Sequence, residues 1–351
     1  MKEYLLPHIR ELEGYVPGEQ PRGGDVVKLN TNENPYPPSP RVFEAVTDEL
    51  LHLRRYPDPV WTDLRRAAAE LYGFAPEWIF CGNGGDEILT LVSRAFLGPG
   101  RGACYPVPTY TLYRTLAACQ NAPATEVPFT PSWHLPVHEL TSSGAVVAFI
   151  SNPNSPTGTA VDPVEIRDLA RDFPGLVLVD EAYVDFAEAD CLHLVRQAEN
   201  VAVLRSLSKS YSLAGLRVGL LFARPELVEV LLRLKDSYNL DRLAIAAAAA
   251  ALGDRKHFEE VRALVLGTRQ RLASELRRRG FEVLPSRANF LCARPPEPPG
   301  ARRLYLGLKE RGVLVRYFEK EMPRHLRITV GTDQEVDVLL RELDRLLEEA
   351  R

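Results

Sequence analysis

Three short runs of the chain are aliphatic without alternation: VVAFIS at 146–151, LVLVDEA at 176–182 and VAVLRSLS at 201–208. A strand wet on one face alternates apolar with polar residues, so unbroken runs of this length predict strands buried on both faces. Between the first two lies VDPVEIRDLARDF, where Asp162 can cap a helix, Pro163 suits its first position, and Val164, Ile166 and Leu169 follow. Strand, helix, strand predicts a parallel α/β sheet, and such sheets hold ligands outside the carboxyl ends of their strands. Polar residues do follow each run: NPNSPTG at 152–158, then Asp180, Glu181 and Tyr183, then Ser206, Ser208 and Lys209.

Elsewhere, Leu64, Ala67, Ala68 and Leu71 recur at helical spacing and predict a helix over 62–73. The alanine-rich stretch 243–252 predicts a buried helix, because ten residues cannot span a bilayer. A helical pattern over 259–279 precedes short strands near Phe290, at 313–315 and at 326–330, and a last helix covers 334–347. PPEPPG at 295–300 predicts a rigid loop. Before residue 40, the run NENPYPPSP excludes an interior helix or central strand and predicts an arm crossing a surface. The expected domains are 1–40, an arm with part of a small domain; 41–254, a large domain; and 255–351, a small C-terminal domain.

With 351 residues, 45% hydrophobic and 26% charged, the chain can bury two cores that share a cleft. A net charge of -4 supplies no general attraction for nucleic acid or an anionic membrane. Acids and prolines interrupt the first twenty residues where an export signal needs an apolar stretch. The five cysteines are scattered and form no CxxC pair, which points to the cytoplasm and away from structural zinc. The seven histidines form no HExxH pattern, so no metal is expected.

Only seven of the 43 basic residues are lysine, and one of them, Lys209, directly follows a buried strand. A partly buried lysine can become a neutral amine that attacks a carbonyl, which arginine cannot, although most lysines are solvated surface charges. Asp180 ends an aliphatic strand, where a carboxylate needs a cation beside it unless it merely caps the next helix. A protonated pyridine nitrogen would meet that need. Ser206, Ser208 and Arg217 suit a phosphate dianion, and the glycines of GNGGDE at 82–87, before a helical pattern near Ile88, could present backbone amides to it. Glycine-rich strand-to-helix turns are more often turns alone.

NPNSPTG, VDEAYVDF and SLSKSYSLAGLRVG, in this order, resemble the fold-type-I pyridoxal-phosphate aminotransferases. LNTNENPYPPSP, RYPDP, GNGGDEIL, PTYTLY, GVLVRYF and HLRITVGT are similar to the histidinol-phosphate branch of that family. The resemblance implies an α/β fold with a large, mostly parallel domain and a smaller one, a homodimer, and pyridoxal 5'-phosphate as coenzyme. The implied small-molecule substrates are histidinol phosphate and glutamate or 2-oxoglutarate. It makes Lys209 the Schiff-base lysine and proton shuttle, Asp180 the partner of the pyridine nitrogen, and Tyr183 a donor to the ring hydroxyl. Tyr110 stacks on the ring, and Gly85, Asp86, Ser206, Ser208 and Arg217 form the phosphate cup, joined by Tyr56 of a neighbouring subunit. Where the family carries asparagine before PTG this chain has Ser155, so the further bond to the ring hydroxyl falls to Asn154, with Ser155 competing. Arg327 and its helper Arg316 take the substrate anion, while Tyr15 and Asn32 belong to an arm closing over the substrate. An O-phosphothreonine decarboxylase or an aromatic aminotransferase on the same fold is the alternative.

Overall fold

The structure, a computed structural model, describes residues 2–350 except Glu13, Tyr15, Val16 and residues 22–25. Its larger sheet has seven strands: β1 (Ile79–Asn83), β2 (Ala103–Val107), β3 (Ala124–Pro128), β4 (Val147–Ser151), β5 (Leu176–Asp180), β6 (Val201–Ser206) and β7 (Val218–Phe222). They lie in the order β1-β7-β6-β5-β4-β2-β3. Neighbours run parallel, except that β7 is antiparallel to both β1 and β6. Every residue of β4, β5 and β7 is buried, which is why their sequences show no alternation. The register sets Ser151 beside Asp180 and Asp180 beside Leu204, so the carboxyl ends of β4, β5 and β6 finish nearly level.

Helices cover this sheet. They include α1 (Pro40–Leu50), α2 (Thr62–Tyr72), α3 (Gly84–Phe96), α4 (Pro163–Asp172) and α5 (Arg242–Gly253). α4 starts on a full capping box, with Asp162 accepting from Val164 N and Glu165 closing it from the third position. α2 ends at Gly73, whose φ of 69° terminates the helix without steric cost. The small residues of α5 let it pack closely against α1 and α2.

A second core forms around Leu29, Leu272, Leu276, Phe281, Leu304 and Leu339. Its elements are α6 (Arg255–Arg278), β8 (Glu282–Val283), β9 (Phe290–Arg294), α7 (Gly300–Glu310), β10 (Arg316–Tyr317), β11 (Leu326–Thr329) and α8 (Asp333–Glu348), with strands in the order β10-β11-β9-β8. α6 contributes Phe258 to the first core and Leu272 to the second, so one helix of about 36 Å joins them. One expectation changes here. The arm does not run over a surface throughout: Val27–Lys28 pairs in parallel with Val313–Leu314, and Leu29, Asn30 and Asn32 are 1–2% exposed. The proline-rich segment is a loop over 295–299, and α7, which the sequence pattern did not predict, follows it from Gly300 at a φ of 77°. Among the described residues no helix is long and apolar enough to cross a membrane.

Candidate active site

A cavity of about 480 Å³ opens at the carboxyl ends of β4, β5 and β6, walled on its far side by β10 and β11. Asp180, the last residue of β5, is almost wholly buried there. Its Oδ2 accepts from Tyr113 Oη at 2.9 Å and its Oδ1 from Ala182 N at 3.1 Å. Burial lifts its carboxyl to about 6 in spite of those two donors. A cation in the cavity would return this group to the fully ionised form.

Lys209 stands in the loop 207–217 between β6 and β7. Burial, and after it the Arg327 guanidinium, lower its ammonium to about 8. Nζ donates to Thr31 O at 3.2 Å, and Asn34 Nδ2 donates to the Lys209 carbonyl at 3.0 Å. The next residue, Ser210, donates to the Asp185 carboxylate, which also pairs with Arg205 of β6. Arg205 is itself buried against Glu181 at 3.0 Å. The lysine therefore projects from a loop fastened on both sides.

Beside it the start of α3 forms a cradle. Gly84 has a φ of 75°, and a Cβ there would sit 2.5 Å from Arg217 Nη2. A Cβ on Gly219 would lie 2.8 Å from the backbone of Gly84 and Gly85. The glycines thus bring a bare helix N-terminus against Arg217. Arg217 Nη1 donates to Ser208 Oγ at 3.2 Å, Nη2 pairs with Asp86 Oδ2 at 3.3 Å, and Ser206 Oγ accepts from Ser208 N at 3.2 Å. Tyr110 Oη reaches the other Asp86 oxygen at 3.2 Å. Hydroxyls, amides and one guanidinium converging at a helix N-terminus fit a phosphate ester.

On the far wall, Arg316 and Arg327 are direct cross-strand partners. Like charges placed opposite one another repel, and an anion held between them reverses the sign of that interaction. Arg327 Nη1 donates to Ser155 Oγ at 3.1 Å and Nη2 to Asn30 O at 2.9 Å, while Arg316 Nη1 donates to Pro17 O at 3.2 Å. The Phe318 ring lies 5.3–5.4 Å from both guanidinium carbons.

The cavity brings together Lys209, Asp180, Tyr183, Tyr110, Gly85, Asp86, Ser206, Ser208, Arg217, Ser155, Asn32, Arg316 and Arg327. Of the two candidates for the further bond, Asn154 does not line the cavity: its amide donates to Pro108 O and Thr157 Oγ1 and accepts from Thr109 Oγ1, while Ser155 faces the cavity. Asn32 lines the cavity, where its amide donates one hydrogen to Tyr183 Oη at 3.0 Å and accepts from Thr329 Oγ1. Tyr183 keeps its own phenolic proton to donate, and burial holds that proton on. Tyr56 lies outside the cavity, 77% exposed and stacked on Tyr238 at 4.4 Å. Tyr15 falls outside the described residues. The sequence reasoning missed Tyr113, Phe318 and the Thr31 carbonyl. Tyr113 and Phe318 stand in the quoted PTYTLY and GVLVRYF segments, three and two residues after Tyr110 and Arg316, so those segments were the signal that could have found them.

The family described as Aminotransferase class I and II matches residues 24–343. The chain belongs to this family. Among these aminotransferases it is 46% identical over 350 residues to histidinol-phosphate aminotransferase 1 of Trichormus variabilis, covering 99% of this chain and 100% of that one. With histidinol-phosphate aminotransferase of Rhodopirellula baltica it shares 45% over 346 residues, 97% of this chain and 95% of the relative. The crystal structure of histidinol-phosphate aminotransferase from Sinorhizobium meliloti in complex with pyridoxal-5'-phosphate superimposes with a TM-score of 0.91, covering 99% and 98% of the two chains. At 24% identity that likeness speaks for the fold, the fold-type-I aminotransferase architecture.

Proposed function

We infer that this aminotransferase moves an amino group between histidinol phosphate and 2-oxoglutarate, giving imidazole acetol phosphate and glutamate, on pyridoxal 5'-phosphate. One observation carries the reading: a half-buried lysine and a buried aspartate share a cavity with a phosphate-type cradle at one end and two opposed guanidinium groups at the other. When bound, the coenzyme supplies an aldehyde that exchanges its oxygen for an amine and a cationic ring that takes up the electrons of the substrate's amino-bearing carbon. Lys209 Nζ is the amine of this chain that holds the aldehyde. Once displaced, it serves as the base at the amino-bearing carbon, and its lowered affinity for a proton suits that task. Asp180 keeps the ring nitrogen protonated. Tyr183 Oη donates to the ring hydroxyl, with Ser155 Oγ as its companion. Gly85 and Asp86 amides, Ser206, Ser208 and Arg217 hold the phosphate, and Tyr110 covers a ring face.

Arg327 and Arg316 hold the substrate's far anion. That anion is a phosphate ester in histidinol phosphate and a carboxylate in glutamate, and planar guanidinium donors fit both. A site that binds both substrates in turn needs this tolerance. We further propose a homodimer in the cytoplasm, each subunit lending Tyr56 to the other's phosphate cradle. Phe43, Leu50, Leu51, Leu53 and Tyr56 lie exposed along one stretch of α1 and the following turn, and the five cysteines are free.

The test is a half-reaction. Histidinol phosphate alone, added to coenzyme-loaded protein, is expected to discharge the visible absorbance of lysine-held coenzyme and release one imidazole acetol phosphate per subunit, and 2-oxoglutarate should restore the colour. Release of carbon dioxide from O-phosphothreonine, with no amino transfer from histidinol phosphate, would overturn the reading.

A further inference from the structure

The backbone of the phosphate cradle is fastened by a side chain that does not line the cavity. Asn239, two residues before the N-cap of α5, is 7% exposed. Its Nδ2 donates to Cys81 O at 3.1 Å and to Glu87 Oε2 at 2.8 Å, while its Oδ1 accepts from Trp61 Nε1 at 3.1 Å. Its main-chain carbonyl accepts from Asn83 Nδ2 at 3.2 Å. Glu87 Oε2 in turn accepts from Asn83 N at 2.5 Å. Both amide hydrogens and the amide oxygen are therefore engaged, on three separate pieces of chain: the middle of β1, the first turn of α3, and the residue that precedes α2.

Those contacts bracket residues 84–86. Gly84 and Gly85 have no side chain of their own to set their direction, and Gly84 occupies the left-handed region, so the cradle depends on its two ends being held. Amides bind an anion best when they are already convergent and need no reorganisation as it arrives. Trp61 shows how firmly the node is built: it is fully buried at a φ of 53°, a conformation a large side chain adopts only when its surroundings compel it, and here it delivers Nε1 to Asn239. Adjacent Tyr238 stacks on Tyr56, tying the same segment to the tyrosine assigned to the partner's cradle.

We infer that Asn239 is a positioning residue for the coenzyme phosphate, holding the Gly85 and Asp86 amides in line with Arg217 without touching the ligand. The inference rests on the reading that this cavity takes pyridoxal 5'-phosphate. It has a consequence that general loosening of the fold lacks, namely an effect confined to the phosphate. The experiment compares pyridoxal 5'-phosphate with pyridoxal, which has the aldehyde and ring but no phosphate, by titrating each into coenzyme-free protein and following visible absorbance. For Asn239→Leu, the Kd for pyridoxal 5'-phosphate is expected to rise about tenfold or more, the loss of roughly one charge-assisted hydrogen bond, with that for pyridoxal changing less than about twofold. Asn239→Asp keeps the volume and the acceptor for Trp61, loses both donors and sets a carboxylate against Glu87. It carries the test where the leucine variant does not fold, with the same expected selectivity. Parallel weakening of both compounds, or no weakening of either, overturns the inference while the functional reading stands. Wild-type protein that takes up neither compound overturns the functional reading and this inference together.

Discussion

Lys209 and Asp180 illustrate how one physical cause gives two side chains opposite tendencies. Burial penalises charge, so it lowers the lysine to about 8 and raises the aspartate to about 6. The sign of the pH effect follows. Below about 8 the lysine is an ammonium with no lone pair to offer, and each further pH unit cuts the amine fraction tenfold. Coenzyme capture by ligand-free protein should therefore speed up about tenfold per pH unit below 8 and level off above it, read by stopped-flow absorbance. A capture rate that keeps rising to pH 10 would mean an ordinary solvated lysine. Stability obeys the same linkage: the folded value lies under the unfolded 10.5, so the half-buried ammonium is a cost below about 8 that fades as pH climbs toward 10.5. A second prediction concerns the anion wall. Because Arg327 faces Arg316 across a strand pair, Arg327→Ala should raise KM for histidinol phosphate and for glutamate alike, by about ten- to a hundredfold, the range for a lost charge-assisted bond. Steady-state kinetics with each substrate varied would show it, and impairment of only one substrate would refute a shared anion site.

At the scale of elements, the site depends on how closely β7 approaches the start of α3. A methyl on Gly219 would stand 2.8 Å from backbone atoms of Gly84 and Gly85, which cannot swing aside as a flexible side chain can. Gly219→Ala should therefore lower stability by about 1–3 kcal/mol and weaken coenzyme binding too, measured by denaturant midpoint and by titration. A variant as stable as the parent, with unchanged coenzyme affinity, would show that strand and helix are not locked together. The strands and helices that set this geometry were largely readable beforehand, because β4, β5 and β6 are buried runs whose polar ends point to the crevice, and α4 carries its cap in its own sequence. What was hidden is longer in range. Asn34 reaches the Lys209 carbonyl across 175 positions and Asn32 reaches Tyr183 across 151, and no local pattern encodes such pairs. The choice between Asn154 and Ser155 was hidden for another reason. It turns on a tight loop, closed by Gly158 N on Asn154 O and Asn154 N on Thr159 O at 2.7 Å, in which neighbouring side chains face opposite ways without any period. α7 was masked by the prolines that precede it.

For the molecule as a whole, the arm is the piece that makes two cores into one site. Asn30 O accepts from Arg327, Asn32 N donates to Thr329 Oγ1 and Asn32 O accepts from Asn289, all in the second core, while Thr31 O and Asn34 hold Lys209 in the first. Within one subunit, then, lysine and substrate arginines share a short, buried connection. Tyr56 has no such connection to its own cradle: it is 77% exposed, stacked on Tyr238 and outside the cavity. If the cradle is completed by a partner's Tyr56, defects in Lys209 and Tyr56 must complement across a dimer. Lys209→Ala protein is expected to be inactive, and Tyr56→Ala protein to lose coenzyme on dilution. In a mixed dimer, the site built on the intact lysine receives the intact tyrosine from the other chain, whereas the remaining site carries both lesions. Mixing the two variants under subunit exchange should therefore restore one full site per heterodimer, near half the activity of a wild-type dimer, with coenzyme retention to match. If Tyr56 served its own subunit instead, each heterodimer site would carry one lesion, and no combination of the two variants could recover a wild-type site.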